Sequence, residues 1–135
     1  MSQDNRPPAP RPTAQVAPFV QVFGLEGAIR FLLAFGGAQL DVRGNPRDSN
    51  QLVQMFGREA VAELASLPTL PTLPRRIPLA KPWLVACFHA QGLSIAQIAR
   101  KLRISDISVR TYLRREAENR ERLRADADRR ARRRT

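Results

Sequence analysis

The chain has 135 residues, and its 23 Lys+Arg against 12 Asp+Glu give a formal net charge of +11 and a pI near 11.6. At roughly 100–200 residues per domain this is one domain or two very small ones, too little for the multi-layer core of a metabolic enzyme. All the basic residues except Lys81 and Lys101 are arginine, the side chain that pairs bidentately with phosphate and with the guanine edge, so nucleic acid is the first partner to consider and no enzymatic role is expected. A single cysteine, Cys87, closes no intramolecular disulfide, and with one histidine, His89, no zinc ligand set assembles from Cys and His alone. No metal or cofactor is expected, and the expected setting is a reducing cytoplasm.

Residues 1–18 carry Pro7, Pro8, Pro10, Pro12 and Pro18 and almost no large apolar side chains, so this arm is expected to be disordered and lacks the apolar run of a signal peptide. The most apolar stretch, Phe19 to Leu40, is interrupted by Gln21, Glu26, Arg30 and Gln39, so no membrane association is expected. Within it Leu25, Ala28, Ile29, Leu32, Leu33 and Phe35 recur at helical spacing and predict a helix over 24–35, stopped by Gly36-Gly37. Alternation in Ala38-Gln39-Leu40-Asp41-Val42 reads as a short strand before the turn at Gly44-Asn45-Pro46. A second helix is predicted over 48–66, with Gly57 leaving room for a break. Phe23-Gly24-Leu25-Glu26-Gly27-Ala28 is weakly echoed by Phe56-Gly57-Arg58-Glu59-Ala60-Val61, which suggests at most a duplicated helix-strand unit.

Residues 68–82 hold Pro68, Pro71, Pro74, Pro78 and Pro82, which forbid a continuous helix and favour a linker, or a short edge strand around Arg76-Ile77. Trp83 to Gln91 then reads as a helix with Leu84, Val85 and Phe88 inward and Gly92 as its stop. Cys87 and His89 lie two apart on it and point in different directions, which suits a core and a surface residue better than a catalytic pair.

The segment 95–114 fits a helix-turn-helix. Two helices crossing steeply around a short turn need a small residue at the crossing and apolar residues on either side. Ala99 fills the first role; Ile98, Leu102, Ile104, Val109 and Tyr112 fill the second, with Ser94 and Ser105 placed to cap the two helices. Arg103 stands where such turns commonly have glycine in a positive-φ conformation, which implies strain or a slightly different turn. The outward residues near the start of the second helix, Asp106, Ile107, Ser108, Arg110 and Thr111, are the candidates for base contacts, because the N-terminal part of a recognition helix enters the major groove. Arg100, Lys101, Arg103, Arg114 and Arg115 are the candidates for the DNA backbone, where they set register without reading sequence. Residues 116–135 are rich in Arg and Ala with acids four residues ahead of several arginines, the better orientation for helix-stabilising pairs, and suggest a helical arm along the DNA backbone.

The runs GLEGAIRFLLAFGGAQLDV, RRIPLAK and GLSIAQIARKLRISDISVRTYL together resemble the Mor/C family of bacteriophage transcription activators, over roughly residues 23–115. The resemblance implies an N-terminal helical part that dimerises, a short strand after Gly36-Gly37, and a C-terminal helix-turn-helix that binds upstream of a promoter and contacts RNA polymerase. The expected architecture is mainly α: a disordered arm (1–18), a small helical dimerisation part with a short strand (19–67), a Pro-rich linker (68–82), a helix-turn-helix (83–115) and a basic helical tail (116–135). A homodimer that buries Phe19, Phe23, Phe31, Leu32 and Phe35 would complete the small N-terminal core. The expected function is sequence-specific double-stranded DNA binding by a phage-type regulator. The rivals are a DNA-handling component, such as a small terminase subunit or recombinase accessory protein, and an Arg-rich RNA-binding or protein-interaction module.

Overall fold

A computed structural model describes residues 9–39, 47–67 and 76–134. They are mainly helical, with no strand among them: α1 (Ala17–Phe35), α2 (Gln51–Phe56), α3 (Arg58–Ser66), α4 (Lys81–Ala90), α5 (Ile95–Leu102) and α6 (Asp106–Arg133). The described residues divide into two compact units, one of residues 11–80 and one of residues 81–134, the latter grouped with Ala9 and Pro10.

In the first unit, α1 begins earlier than the predicted residue 24. Pro18 sits in its first turn, where a missing N–H is no loss, and Val16 and Pro18 are both buried, so the end of the Pro-rich arm belongs to the fold. The helix is kinked at Gly24, whose φ of 74° and ψ of 175° are open to glycine alone, and the part beyond it coincides with the expected 24–35 segment. The predicted 48–66 helix is likewise two pieces. It starts only at Gln51, because Asn50 caps it by accepting the Leu52 N–H at 2.8 Å, and it breaks at Gly57, with φ 88° and ψ 158°. The weak echo in the sequence is therefore a repeated local geometry, helix–glycine–helix, at an offset of 33 residues.

Burial follows the same offset. Phe19 and Leu52, Ala28 and Val61, and Phe31 and Leu64 are buried at equivalent positions. The equivalent residues Phe23 and Phe56 stack on each other with ring centroids 4.3 Å apart, and Phe31 stacks on Phe19 at 4.6 Å. Arg30 lies over the Phe56 ring at 5.6 Å. Phe19, Phe31 and Leu32, expected to be covered by a second chain, are thus already buried within one chain, while Phe23 and Phe35 are half-buried. A second correction concerns the membrane. The α1 window does reach the length and mean hydropathy, 1.4, of a membrane-crossing helix, and 33% of it is buried within the unit, including Phe19, Ala28, Ile29, Phe31 and Leu32.

After Gly36-Gly37 the chain makes an isolated antiparallel bridge, Gln39 to Arg76, flanked by Gly37 N–H to Ile77 O and Ile77 N–H to Ala38 O, both 2.8 Å. The two segments read as short strands do meet, but as a single bridge among the described residues. Leu40–Val42 of the expected strand, the turn at 44–46 and most of the linker, 68–75, lie outside those residues.

In the second unit, α4 starts two residues before Trp83 and buries Trp83 to Phe88 without a gap. It packs on both α5 and α6, which pack on each other. Gly92, at φ 92°, reverses the chain after α4, and the Leu93 N–H returns to Phe88 O at 3.1 Å. The boundary drawn at 115/116 corresponds to no break: α6 runs unbroken through it for 28 residues, about 42 Å at 1.5 Å per residue.

Candidate nucleic-acid interface

The geometry around the α5–α6 turn follows from its caps. Ser94 Oγ accepts the Gln97 N–H at 3.1 Å while Gln97 Oε1 accepts the Ser94 N–H at 2.8 Å, a complete capping box. At the start of α6, Ser105 Oγ accepts the Ser108 N–H at 3.0 Å. The caps fix where each of the two helices starts, and Arg103-Ile104-Ser105 joins them. Arg103 closes α5 in the left-handed conformation, φ 56° and ψ 44°, the positive φ expected of the residue at this place in the turn.

Of the residues read as the core, Ile98, Leu102 and Val109 are buried, and Ala99, Ile104 and Tyr112 are half-buried. Leu84, Val85 and Phe88 of α4 complete the set. The candidate base contacts divide. Asp106, Ile107 and Arg110 are exposed, Ile107 to 70%. Ser108 and Thr111 are half-buried, and their hydroxyls are engaged by the protein itself: Ser105 Oγ donates to Ser108 Oγ at 3.0 Å, and Thr111 Oγ1 donates to Ile107 O at 2.9 Å.

Among the candidate backbone contacts, Arg100, Lys101, Arg103, Arg114 and Arg115 are all exposed. The Lys101 Nζ lies over the Phe88 ring, 5.5 Å from the centroid, a cation–π contact with α4. A contact that sequence spacing could have suggested and did not is the ion pair between Asp106 Oδ2 and Arg110 Nη1, 2.7 Å apart at i,i+4. The Arg110 hydrogen bond, its positive charge and the N–H groups of Asp106 and Ile107 hold the Asp106 carboxyl below the ordinary aspartate value, so the pair is charged at neutral pH.

Beyond Glu116 the helix leaves the packed unit. From Ala117 to Arg134 every residue except Asp126 is exposed. Glu116 and Arg120 pair at 4.0 Å as the spacing predicts, whereas Asp126 pairs with Arg129, three residues on, instead of Arg130. Cys87 is buried and His89 exposed on α4. Burial, helped by the negative charge of Glu116, pushes the Cys87 thiol up to about 12, the opposite of a reactive nucleophile. Compared with protein-family models, curated proteins and solved structures, the chain matches none.

Proposed function

We propose that the protein is a sequence-specific double-stranded DNA-binding transcriptional regulator, with α5 and the first turns of α6 as the DNA-binding element. The observation that carries this reading is the set of exposed residues around the α5–α6 turn: Asp106, Ile107 and Arg110 at the start of α6, with Arg100, Lys101, Arg103, Arg114 and Arg115 exposed on the same two helices and their turn, while Ile98, Leu102 and Val109 are buried. A helix N-terminus carrying groups suited to base edges, flanked by arginines suited to phosphate, is what major-groove reading requires.

Residues 81–135 hold 15 Lys+Arg and 6 Asp+Glu, a balance of 15 minus 6 or +9, so most of the charge excess lies on the unit that carries this surface. By its resemblance to the Mor/C activators, the protein acts as a homodimer at an inverted-repeat operator near a promoter and contacts RNA polymerase. Because Phe19, Phe31 and Leu32 are already buried, such a dimer uses a different surface from the aromatic one. A second reading, a DNA-packaging or recombination component, rests on the same helix pair. A promoter-reporter assay separates the two, since only the regulator changes transcription.

The test of roles is a pair of substitutions assayed on a preferred duplex and on random duplex. Arg110→Ala is expected to lose discrimination by about 1–3 kcal/mol, whereas Arg100→Ala weakens binding to both duplexes alike and lowers the salt slope by about one. Identical behaviour of the two variants would refute the assignment.

A further inference from the structure

Resting on the DNA-binding reading above, we infer that α6 reads one guanine through Arg110, with Asp106 as the residue that positions its guanidinium, and that Ile107 selects a thymine methyl beside that guanine.

Five side chains were candidates for base contact, and the hydrogen bonds within the helix reduce them. Thr111 Oγ1 has given its hydrogen to Ile107 O, and Ser108, which accepts the Ser105 hydroxyl and keeps its own hydrogen, is half-buried like Thr111, so both are less accessible than their exposed neighbours. The groups left facing outward are a carboxylate, a guanidinium and a branched hydrocarbon. Arg110 bonds Asp106 through Nη1, which leaves the Nε and Nη2 edge as a two-donor fork. Guanine is the base that offers two acceptors, O6 and N7, to such a fork in the major groove.

A free arginine on an exposed helix loses rotamer freedom on being fixed. The Asp106 pair, one helical turn away at 2.7 Å, has already restricted it. Asp106 acts on selectivity in a second way. A carboxylate at the tip of a reading helix repels phosphate and the acceptor atoms of the other bases, so it weakens binding wherever Arg110 has no guanine to engage. Ile107, 70% exposed and without any donor or acceptor on its side chain, has one apolar counterpart in the groove, the C5 methyl of thymine.

The experiment takes the full chain, selects its preferred duplex from a random pool, and replaces each guanine by 7-deazaguanine and each thymine by uracil in turn. For the unmodified chain, one 7-deazaguanine position is expected to weaken binding about tenfold, and one uracil within two base pairs of it by a few-fold. Arg110→Ala should be indifferent to that guanine change and Ile107→Ala to that uracil change. Asp106→Ala should bind random duplex more tightly than the unmodified chain while losing most of its guanine discrimination, and Asp106→Glu should recover it. If Asp106 served only the stability of the helix start, its removal would weaken binding to specific and random duplex together, and that result overturns its positioning role. Unchanged sensitivity to 7-deazaguanine in Arg110→Ala overturns the guanine assignment while leaving sequence-specific binding intact. Failure to enrich any sequence from the pool overturns the DNA reading itself.

Discussion

Arg103 holds a left-handed conformation in which an L side chain crowds its own carbonyl, at a cost of about 1–2 kcal/mol that glycine avoids. Arg103→Gly relieves that strain but gives the unfolded chain more freedom, about 0.4–1 kcal/mol. The net expectation is a stabilisation of up to about 1.6 kcal/mol in urea unfolding, with weaker binding to any duplex because one charge is lost; destabilisation would show that the Arg103 side chain makes a compensating contact. This position was legible in the sequence, since the pattern of the turn marks it whatever residue it holds. The Asp106–Arg110 pair follows from i,i+4 spacing, but spacing alone does not say whether the two side chains turn to each other or outward to a ligand.

Cys87 makes a pH-dependent contribution whose sign is fixed by its burial. Its thiol titrates near 9.0 when unperturbed and at about 12 in the fold. Below the first value both states are protonated and the contribution is complete; as pH rises from there toward the second, only the unfolded chain ionises, and stability falls. The difference in urea midpoint between the unmodified chain and Cys87→Ala should therefore shrink as pH rises above 9, and a difference that stays constant across that window would contradict a buried thiol.

At the scale of elements, the two glycine kinks are the feature with the clearest consequence. Gly24 and Gly57 occupy backbone regions that cost other residues about 1–3 kcal/mol. Gly24→Ala and Gly57→Ala should each lower unfolding free energy by about that amount, although a Cβ at either position would meet open space. Retention of full stability would mean that straight helices serve the unit equally well. The sequence exposed this repeat only through the shared Phe, Gly and Glu of its central segment. The pairings Phe19 with Leu52 and Phe31 with Leu64 conserve burial and not identity, so a residue-by-residue comparison passes over them. The start of α2 was misplaced for a related reason: Asp48, Ser49 and Asn50 are all good cap residues, and only the fold decides that the Asn50 oxygen reaches the Leu52 N–H. The unbroken α6 was legible, as nothing after Gly92 is glycine or proline, and the boundary at 115/116 came from composition where no structural break exists.

For the whole molecule, charge and apolar surface are divided between the units. Residues 11–80 carry 7 Lys+Arg and 5 Asp+Glu, 7 minus 5 or +2, and enclose the phenylalanine cluster; residues 81–135 carry +9, from 15 minus 6. A small helical part with five phenylalanines in 19–56 reads from sequence as unfinished, and the intramolecular partner that covers three of the expected residues is invisible there because it depends on how the repeated pieces pack. The charge division, by contrast, needs no structure to be seen. It locates the proposed DNA surface in one unit and makes one measurement decisive. In a fluorescence anisotropy competition at fixed salt, the labelled duplex preferred by the full chain is displaced by unlabelled copies of itself, by scrambled duplex of equal length and by RNA. The account predicts that scrambled duplex and RNA compete about a thousandfold more weakly than the preferred duplex, or worse. Equal competition by all three would reduce the protein to a nonspecific polyanion binder and contradict the central claim.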